Sequence, residues 1–517
     1  MPPKDLGPLL HGAGQRFRAD LADPARVQAE VLQSILRQNR DSAFGRRHAF
    51  CAIGDGAAYA AAVPVARYEA LAADIARQAQ GETNILTTQD VLAFEETGGS
   101  SDGGKLIPYT ADGLAGFQYG LLAWLDDLCT HHPGLGEGPF YWAISPACRA
   151  ARATAGGIPV GMPDAAYLGA EVGMAVAQML AVPADVGAIS DVDEWRACTL
   201  RHLFASTNMS MISVWSPSFL TELLRYAVIG REALARRIAQ DDPARAAEVL
   251  AQLSRAAPDY RRLWPRLQVI SCWDQASAAV GAATLRTMFP QVLVQGKGLL
   301  ATEGLVTIPL AGFAYPALSL RSGYFEFVDA AGVCFGAHNL AQGQQYQLLM
   351  TTHSGLYRYA LGDQVVVRGH AARTPLLEFI GRSGATSDLC GEKLSDAFVA
   401  GRIAALGQPF AMLAPDAGDG RQRYALLLDA AAGDAARADA AAAALERSLH
   451  DNPQYAYARK LGQLDAVVSV RCLHPLQDWL AERMARGQRL GDIKQPALLS
   501  NTAWRAWVSV AAPEPAA

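Results

Sequence analysis

The residues best suited to chemistry form a short run rich in glycine and hydroxyl side chains. Positions 96–108 read Glu-Thr-Gly-Gly-Ser-Ser-Asp-Gly-Gly-Lys-Leu-Ile-Pro, with the lysine at Lys105. Small residues let a phosphate approach the backbone, N–H groups and hydroxyls can donate to its oxygens, and the lysine adds positive charge. Leu106 follows the lysine, so the run is not a Walker loop, and it lacks the GxGxxG spacing. It predicts a phosphate-binding loop, with a flexible surface loop as an equally weighted alternative.

Two acidic residues further along could serve the same nucleotide. Glu303 closes a Gly/Lys-rich run after an apolar strand and could hold Mg²⁺ through a carboxylate oxygen, with Thr302 beside it. Asp363 ends the aromatic-rich run 351–363, where its carboxylate could accept the two vicinal hydroxyls of a ribose. Taken alone, Glu303 also fits an ordinary solvated loop carboxylate, and Asp363 also fits a Gly–Asp turn that leads into a strand.

Two cations complete the series. Arg382 follows Gly381 at the end of an apolar run, where it could bind a nucleotide and govern rotation of the segment beyond it. Lys494 lies in a late polar loop. Taken alone, a surface linker and a solvated lysine are the favoured interpretations. Their serial order is more informative: phosphate loop, acidic strand end, ribose-type aspartate, hinge arginine and late lysine follow each other as in adenylate-forming enzymes.

The elements that must position these residues change character along the chain. The first 85 residues indicate helices, with apolar residues of 21–39 at helical spacing, and 111–128 and 167–180 indicate buried helices. Short apolar, β-branched runs punctuated by turn residues then predict strands. These strands are expected at 140–145, 267–272, 292–295, 324–328, 346–351, 365–368 and 376–380.

The last third predicts a separate, smaller unit. Its runs 424–429 and 465–470 read as strands, and 435–450 and 476–485 read as helices. Strand and helix alternate, which is typical of a small α+β unit. We place the boundary near Gly381 and Arg382, so the α/β chain divides into a large N-terminal domain, 1–381, and a small C-terminal domain, 382–517.

Charge and hydropathy exclude several classes of protein. Lys and Arg total 45 against 50 Asp and Glu, and no dense basic run suggests a nucleic-acid surface. The mean hydropathy of +0.08 invites a membrane interpretation, but the uncharged runs 202–221 and 330–357 are diluted by polar residues. The N-terminus lacks the layout of a signal peptide.

The chain has eight cysteines and no CxxC pair. This usage predicts reduced thiols in a cytoplasmic enzyme, rather than disulfides or a zinc site.

Five collinear segments resemble one known family. They are GKGLLATEG at 296–304, TTHSGLYRYALGD at 351–363, GR at 381–382 with SDLCGEKLS at 387–395, WPRLQVISCWD at 264–274, and STNMSMISVWSPSFLTELL at 206–224. On these motifs the chain resembles the Gretchen Hagen, or auxin-responsive, acyl-acid amido synthetases, in a bacterial version, which belong to the firefly-luciferase-like adenylate-forming superfamily. The resemblance covers roughly 95–494 and implies helices around β-sheets, a β-barrel-like part, and a mobile C-terminal domain.

The resemblance implies roles for particular residues. Catalysis would involve Lys494, which swings in for adenylation, together with Lys105 and Glu303. Magnesium would be held by Glu303, and ATP would be bound by residues of four segments: Gly99, Ser100, Ser101, Thr302, Glu303, Tyr357, Asp363 and Arg382. Candidates for the acyl pocket lie between the loop and Glu303, although core packing is the favoured interpretation of each: Phe117, Met174, Met209, Ser213 and Trp215.

The activity implied is two-step. A carboxylic acid would be activated by ATP as an acyl-adenylate, and an amino acid or other amine would then form the amide. Three departures from the family pattern stand out: Asp102 places a negative charge in the phosphate loop, Ala360 replaces an arginine, and Ser383 replaces an acidic residue after the hinge. Two alternatives therefore stay open, a ligase with a thiol acceptor and a non-catalytic nucleotide-binding relative.

Overall fold

The structure is a computed structural model of the 517-residue chain. It describes residues 7–96, 105–143, 152–162, 164–189, 191–382, 386–387, 389, 392, 394–416, 422–460, 463–488, 490 and 493–512. Within these ranges no helix combines the length and the apolar character needed to cross a membrane.

Five helices form the N-terminal layer: α1 (Gly7–Asp20), α2 (Pro24–Asn39), α3 (Ala43–Arg47), α4 (Gly56–Ala62) and α5 (Tyr68–Ala79). Helix α2 begins at a proline, after Asp23, whose side chain accepts from the Arg26 N–H. Its apolar face is buried, as the 3.6-residue spacing predicts. Gln28 on this face donates to the carbonyls of Leu320 and Gly323 at 2.6 and 2.9 Å, which ties the helix to a distant sheet.

A small sheet and a long helix follow: β1 (Ala93–Glu96), β2 (Leu106–Tyr109), α6 (Ala111–His131), β3 (Phe140–Ala143), β4 (Arg152–Ala153), β5 (Pro159–Val160) and α7 (Ala170–Gln178). Strands β2, β1, β5 and β4 form a four-stranded sheet in that order. Helix α6 begins where Thr110 accepts from the Gly113 N–H, and it lies mostly buried in the largest core cluster.

The next segment supplies a parallel sheet and its covering helices: α8 (Val192–Ala205), β6 (Met211–Val214), α9 (Pro217–Ile229), α10 (Arg231–Ile238), α11 (Pro243–Leu253), α12 (Tyr260–Leu263), β7 (Val269–Cys272), α13 (Ala279–Met288) and β8 (Leu293–Gly296). The strand order is β3-β6-β7-β8, all parallel. Strands β6 and β7 are buried throughout, as expected for a sheet covered by helices. In α/β sheets the carboxyl ends of such strands are the usual place for a ligand.

An antiparallel region follows: β9 (Leu300–Ala301), β10 (Gly304–Leu305), β11 (Thr307–Ile308), β12 (Ala317–Leu318), β13 (Tyr324–Val328), β14 (Cys334–Gly336), β15 (Gln345–Thr351), β16 (Tyr359–Ala371) and β17 (Thr374–Arg382). Strands β9 and β10 form a hairpin, and the other seven form one sheet in the order β11-β12-β17-β16-β15-β13-β14. The expected β-barrel-like part thus takes the form of a seven-stranded sheet. Buried Arg358, beside Glu326 at 3.0 Å, also donates to carbonyls of the N-terminal layer.

The C-terminal unit is an α+β sandwich: β18 (Thr386–Ser387), β19 (Leu394–Ser395), α14 (Asp396–Ala404), β20 (Ala411–Asp416), β21 (Arg423–Asp429), α15 (Ala435–Leu449), α16 (Pro453–Lys460), β22 (Val468–Cys472) and α17 (Pro475–Ala485). Its central sheet has the order β20-β21-β22 and carries one apolar cluster on each face. Helix α17 touches the large unit, where the Gln477 amide donates to Glu222 at 2.9 Å.

The α/β architecture of a large unit followed by a smaller one confirms the predicted fold class. The uncharged run 202–221 resolves into the end of α8, strand β6 and the start of α9, which explains its apolar character without a membrane. Asp363, expected at a turn, instead lies inside strand β16, which is longer than the predicted 365–368. A positive φ at Gly362 and a register shift after Gln364 explain why that strand was partly hidden from sequence periodicity.

Candidate active site

A cavity of about 780 Å³ lies where the parallel sheet, the antiparallel region and the C-terminal unit meet. Of the described candidates for catalysis and nucleotide binding, five line it: Lys105, Thr302, Glu303, Asp363 and Lys494. These residues span almost 400 positions of the chain, so only the tertiary fold can bring them together. The cavity is therefore the candidate active site.

Glu303 lies in a tight hairpin turn that forms part of the cavity wall. Ala301 on β9 pairs with Gly304 on β10, so Thr302 and Glu303 are the two residues of the turn between these strands. The Tyr109 hydroxyl donates to the Thr302 carbonyl at 2.5 Å, and the Tyr359 phenol hydrogen-bonds the Glu303 carboxylate. Burial, reinforced by the Glu303 charge, raises the pKa of Tyr359, so this phenol stays protonated at neutral pH. The turn is thus held from two sides.

The central strands supply a buried carboxylate. Asp363 is 2% exposed and pairs in register with Arg382 across strands β16 and β17. Gly362 and Gly381 flank the pair and also line the cavity. Gly381 has φ +137, and a Cβ there would come within 2.6 Å of the Ala397 Cβ on α14. Glycine is therefore required where the large unit passes into the C-terminal unit.

The lysine after the glycine-rich run is described, although the run is not. Lys105 Nζ lies 3.2 Å from a Glu69 carboxylate oxygen and 5.2 Å from the centroid of the Tyr68 ring. The three loop residues expected to bind ATP, Gly99, Ser100 and Ser101, fall outside the described part of the chain, as does Asp102.

Two tryptophans stand at the carboxyl ends of neighbouring parallel strands. Trp215 directly follows β6, and Trp273 directly follows β7. Their ring centroids lie 5.4 Å apart, and the backbone N–H of Trp273 donates to the Trp215 carbonyl at 2.8 Å. Lys494 Nζ is 4.1 Å from the centroid of the Trp273 ring. The C-terminal lysine thus reaches the parallel sheet of the large unit across the cavity.

A group of aromatic side chains forms another part of the cavity wall. Phe117 on α6, Tyr109 on β2 and Tyr167 lie with ring centroids 5.5 to 5.8 Å apart. Glu95 is buried beside them and accepts the Met162 N–H at 2.6 Å. Of the five predicted acyl-pocket residues, Phe117 and Trp215 line the cavity. This wall suits an apolar or aromatic acyl group.

Four predicted site residues lie outside the lining of the cavity. Met174 is 60% exposed on the solvent side of α7, and Met209 is fully buried in the core under the parallel sheet. Ser213 lies inside β6, where its hydroxyl accepts from Lys297 at 2.7 Å. Tyr357 is fully buried against Phe44 and donates to the Leu86 carbonyl, so it cannot contact a nucleotide in the cavity.

Two arginines on the C-terminal wall were missed by sequence reasoning. Arg483 and Arg486 lie in the last turn and at the end of α17, and both line the cavity. Arg483 lies 5.2 Å from the Trp479 ring and donates to Gln488 at 2.6 Å. Burial and the neighbouring Arg486 charge lower the pKa of Arg483. Their i, i+3 spacing on a helix was the only available signal, and it is a weak one.

Lys297 is a third cation to which the sequence analysis assigned no role. It follows β8, and its ammonium donates to the hydroxyls of Ser213 and Ser271 at 2.7 and 3.2 Å. It also lies 5.7 Å from the ring centroids of both Trp124 and Trp215. This lysine packs behind the tryptophans and fixes the carboxyl edge of the parallel sheet.

The donor set around Glu303 fits Mg²⁺ bound with a nucleotide. Within the described ranges no three His, Cys, Asp or Glu side chains cluster as a metal cage. Magnesium commonly takes one or two protein carboxylates, with phosphates and water completing its octahedron. A single carboxylate on a constrained turn in a large cavity is therefore a suitable ligand set.

Two family models and several named proteins match parts of this chain. Residues 13–294 match the model described as the GH3 family N-terminal domain, and residues 317–382 match the GH3 family central domain. The chain is 26% identical over 437 residues to "Probable indole-3-acetic acid-amido synthetase GH3.1" of Oryza sativa subsp. japonica, covering 72% of this chain and 69% of that protein. It is 24% identical to indole-3-acetic acid-amido synthetase GH3.2 of Arabidopsis thaliana, over 72% and 77% of the two chains.

A solved structure shares the whole fold. The AtGH3.15 acyl acid amido synthetase in complex with 2,4-DB superposes with a TM-score of 0.86, at 19% identity and with full coverage of both chains. That likeness concerns the fold, whereas the N-terminal match alone spans more than half of the 517 residues. The chain belongs to the GH3 family.

Proposed function

We propose that this protein is an ATP-dependent acyl-acid amido synthetase, which activates a carboxylic acid as an acyl-adenylate and then joins it to an amine. The observation that carries the proposal is the convergence of Glu303, Asp363 and Lys494 on one cavity. Membership of the GH3 family and similarity to named amido synthetases support it.

The chemistry follows from the weakness of a free carboxylate as an acyl donor. One carboxylate oxygen attacks the α-phosphorus of ATP, the bond to the bridging oxygen breaks, and pyrophosphate leaves. An amine nitrogen then attacks the acyl carbon, AMP leaves, and the nitrogen gives up a proton. Lys105 and Lys494 would offset negative charge that builds up on the phosphates in the first step. Bound Mg²⁺, which Glu303 would hold, supplies further neutralisation of that charge.

Several residues are proposed to hold ATP. Thr302 and Glu303 would contact the phosphates from the hairpin turn, and Asp363 would accept the ribose hydroxyls. Arg382 is proposed to approach the same ribose, which its register pairing with Asp363 supports. The glycine-rich run at Gly99, Ser100 and Ser101 is proposed to cover the phosphates.

The domain division is part of the proposal. Residues 1–381 would carry the ATP and acyl-acid sites, and residues 382–517 would rotate about the Gly381 region between the two half-reactions. The φ of +137 at Gly381 and its close approach to α14 support a hinge there. Rotation would withdraw Lys494 and admit the acceptor, while the closed state excludes the water that hydrolyses acyl-adenylates.

The acceptor is proposed to be an amino acid or another amine. The pair Arg483 and Arg486 supports an acceptor with an anionic group, since guanidinium forks bind carboxylates and phosphates. The same pair could receive the phosphates of a thiol carrier such as coenzyme A, which keeps the thiol alternative as an outcome to be tested. We propose a cytoplasmic location, in keeping with the six free cysteines described.

ATP–pyrophosphate exchange tests the first half-reaction. The assay would cover a panel of acids, including indole-3-acetic acid, 2,4-DB, jasmonate-like acids and benzoates. We expect the exchange rate to depend on at least one of these acids and to fall at least tenfold in Lys494→Ala. The control variant Lys460→Ala, at the exposed end of α16, should exchange at the wild-type rate. Absence of exchange with every acid would favour the non-catalytic alternative. Release of AMP on adding amino acids, compared with coenzyme A, then identifies the acceptor class.

A further inference from the structure

The Trp273 side chain has no place in the chemistry above, yet it makes the closest aromatic contact to Lys494. The ammonium lies 4.1 Å from the centre of the indole, which places the cation over the ring face, where the negative π-cloud attracts it. Trp273 belongs to the large unit, and Lys494 belongs to the C-terminal unit. The contact therefore bridges the two proposed domains inside the cavity.

The indole is held firmly in its position. Trp273 comes directly after β7, and its backbone N–H is fixed on the Trp215 carbonyl at 2.8 Å. Its ring packs on the Trp215 ring at 5.4 Å and 31°. Trp215 in turn packs near Lys297, whose ammonium is anchored by the hydroxyls of Ser213 and Ser271. Two strand ends and one anchored cation thus support the platform behind Lys494.

A lysine needs such a platform when its position matters. Its four-carbon chain has many rotamers, and Lys494 lies in a loop without regular secondary structure. A ring face attracts the ammonium and leaves its positive charge in place. An aromatic surface therefore suits a lysine that must be localised, remain cationic and leave again when the domain rotates.

We propose that Trp273 is a positioning residue for adenylation: its indole docks Lys494 against the large domain in the conformation that forms the acyl-adenylate. The inference rests on the proposed function, because Lys494 must act in the first half-reaction. It predicts that Trp273 matters for adenylation and not for the second step, in which Lys494 has moved away.

Kinetics on the full chain test the role. Trp273→Leu should lower kcat for ATP–pyrophosphate exchange by roughly three- to tenfold, the size expected from loss of a partly desolvated cation–π contact. Trp273→Phe, which keeps a ring face, should recover most of the rate. Amide formation from a supplied acyl-adenylate should stay within about twofold of wild type in both variants. In a Lys494→Ala background, Trp273→Leu should cause no further loss, because the contact no longer exists.

Phe398→Leu is a matched control. It removes another aromatic face, which lies 3.4 Å from the Arg402 guanidinium on α14 and outside the cavity lining, so exchange should be unchanged. An equal loss from Trp273→Leu in both half-reactions would overturn the proposal, as would an additive loss in the Lys494→Ala background. A rise in exchange would also overturn it, because Trp273 would then be a resting place that withholds Lys494.

Amine labelling separates failure of this inference from failure of the proposed function. Brief acetylation followed by mass spectrometry gives the reactivity of Lys494 relative to exposed Lys460. The ratio should rise about threefold or more in Trp273→Leu and stay near wild type in Trp273→Phe, because the ring face shields the ammonium from the reagent. An unchanged ratio would overturn the docking contact even if exchange is active. A wild type without exchange would reject the proposed function, while the labelling would still decide the contact.

Discussion

Asp363 and Arg382 are register partners on adjacent antiparallel strands, although 19 positions separate them in the chain. The long hairpin of β16 and β17 returns the chain so that a buried carboxylate stands opposite the last residue of β17, beside Gly381. A nucleotide that reaches Asp363 therefore lies at the proposed hinge. Under the proposed function, this single pair of strands would couple nucleotide binding to the position of the C-terminal domain.

The first prediction concerns this carboxylate. Asp363→Asn keeps the shape but removes the charge, and we expect KM for ATP in the exchange assay to rise by roughly ten- to a hundredfold, as for lost hydrogen bonds to a charged acceptor. If Asp363 accepts ribose hydroxyls, 2′-deoxy-ATP and 3′-deoxy-ATP should lose little further affinity in the variant, although they bind more weakly to the wild type. Glu378→Gln, which removes a partly exposed ion pair with Arg368 on the same hairpin, is the control. Additive effects of the variant and the deoxynucleotides would contradict the ribose assignment.

The second prediction separates two tyrosines of one segment. Tyr357→Phe removes a buried hydrogen bond to the Leu86 carbonyl, so we expect the free energy of unfolding to fall by about 1 kcal/mol while KM for ATP is unchanged. Tyr359→Phe removes the hydrogen bond to Glu303 and should raise the ATP and Mg²⁺ concentrations required for exchange, with a smaller effect on stability. Urea unfolding and exchange kinetics on both variants provide the comparison. A raised KM for ATP in Tyr357→Phe, with stability intact, would return that residue to the nucleotide site.

Sequence patterns predicted the elements with strong periodicity. The helices around 24–39, 111–131 and 435–449 follow from apolar spacing, because each has a buried face. The strands at 269–272 and 324–328 follow from short continuous apolar runs, because their residues are buried on both faces. Burial direction is harder to predict. Met174 and Met209 have the same side chain, yet one faces solvent and the other lies in the core, since the packing of α7 and of the segment before β6 decides which side is covered.

The site could be predicted only in part, and for a physical reason. Motif resemblance grouped Thr302, Glu303, Asp363 and Lys494, which the structure brings to one cavity. It assigned no role to Trp273, Lys297 or Arg483, although the first two lie within the matched segments. Their positions depend on the strand order β3-β6-β7-β8 and on the docking of α17, which are long-range pairings that local propensity does not contain.

The third prediction concerns the acceptor wall. Arg483→Gln should raise KM for an amino acid acceptor by about tenfold, in line with the loss of a charge-assisted pair with its carboxylate. It should not affect the corresponding amino acid amide or the exchange reaction. Arg437→Gln, which removes an exposed arginine of α15, serves as the control for loss of surface charge. A higher KM for ATP in Arg483→Gln would instead assign this arginine to the phosphates, and an effect on coenzyme A alone would support the thiol alternative.

The last prediction concerns pH. His353 is partly buried, with its Nδ1 2.9 Å from the Gln38 side-chain oxygen, and burial lowers its pKa below the usual 6.5, while the Asp112 charge opposes the shift. The folded state therefore binds this proton less readily than the unfolded chain does. As pH falls below about 6.5, the unfolded state gains the proton first, so the free energy of unfolding declines until the folded-state pKa is passed.

His353→Gln can keep the contact with Gln38 but cannot titrate. The free energy of unfolding of this variant should therefore lack the part of the decline that His353 causes. Urea unfolding of both proteins between pH 5 and 8 gives a difference curve in which other histidines cancel. Parallel stability curves for the two proteins would show that His353 titrates alike in the folded and unfolded states.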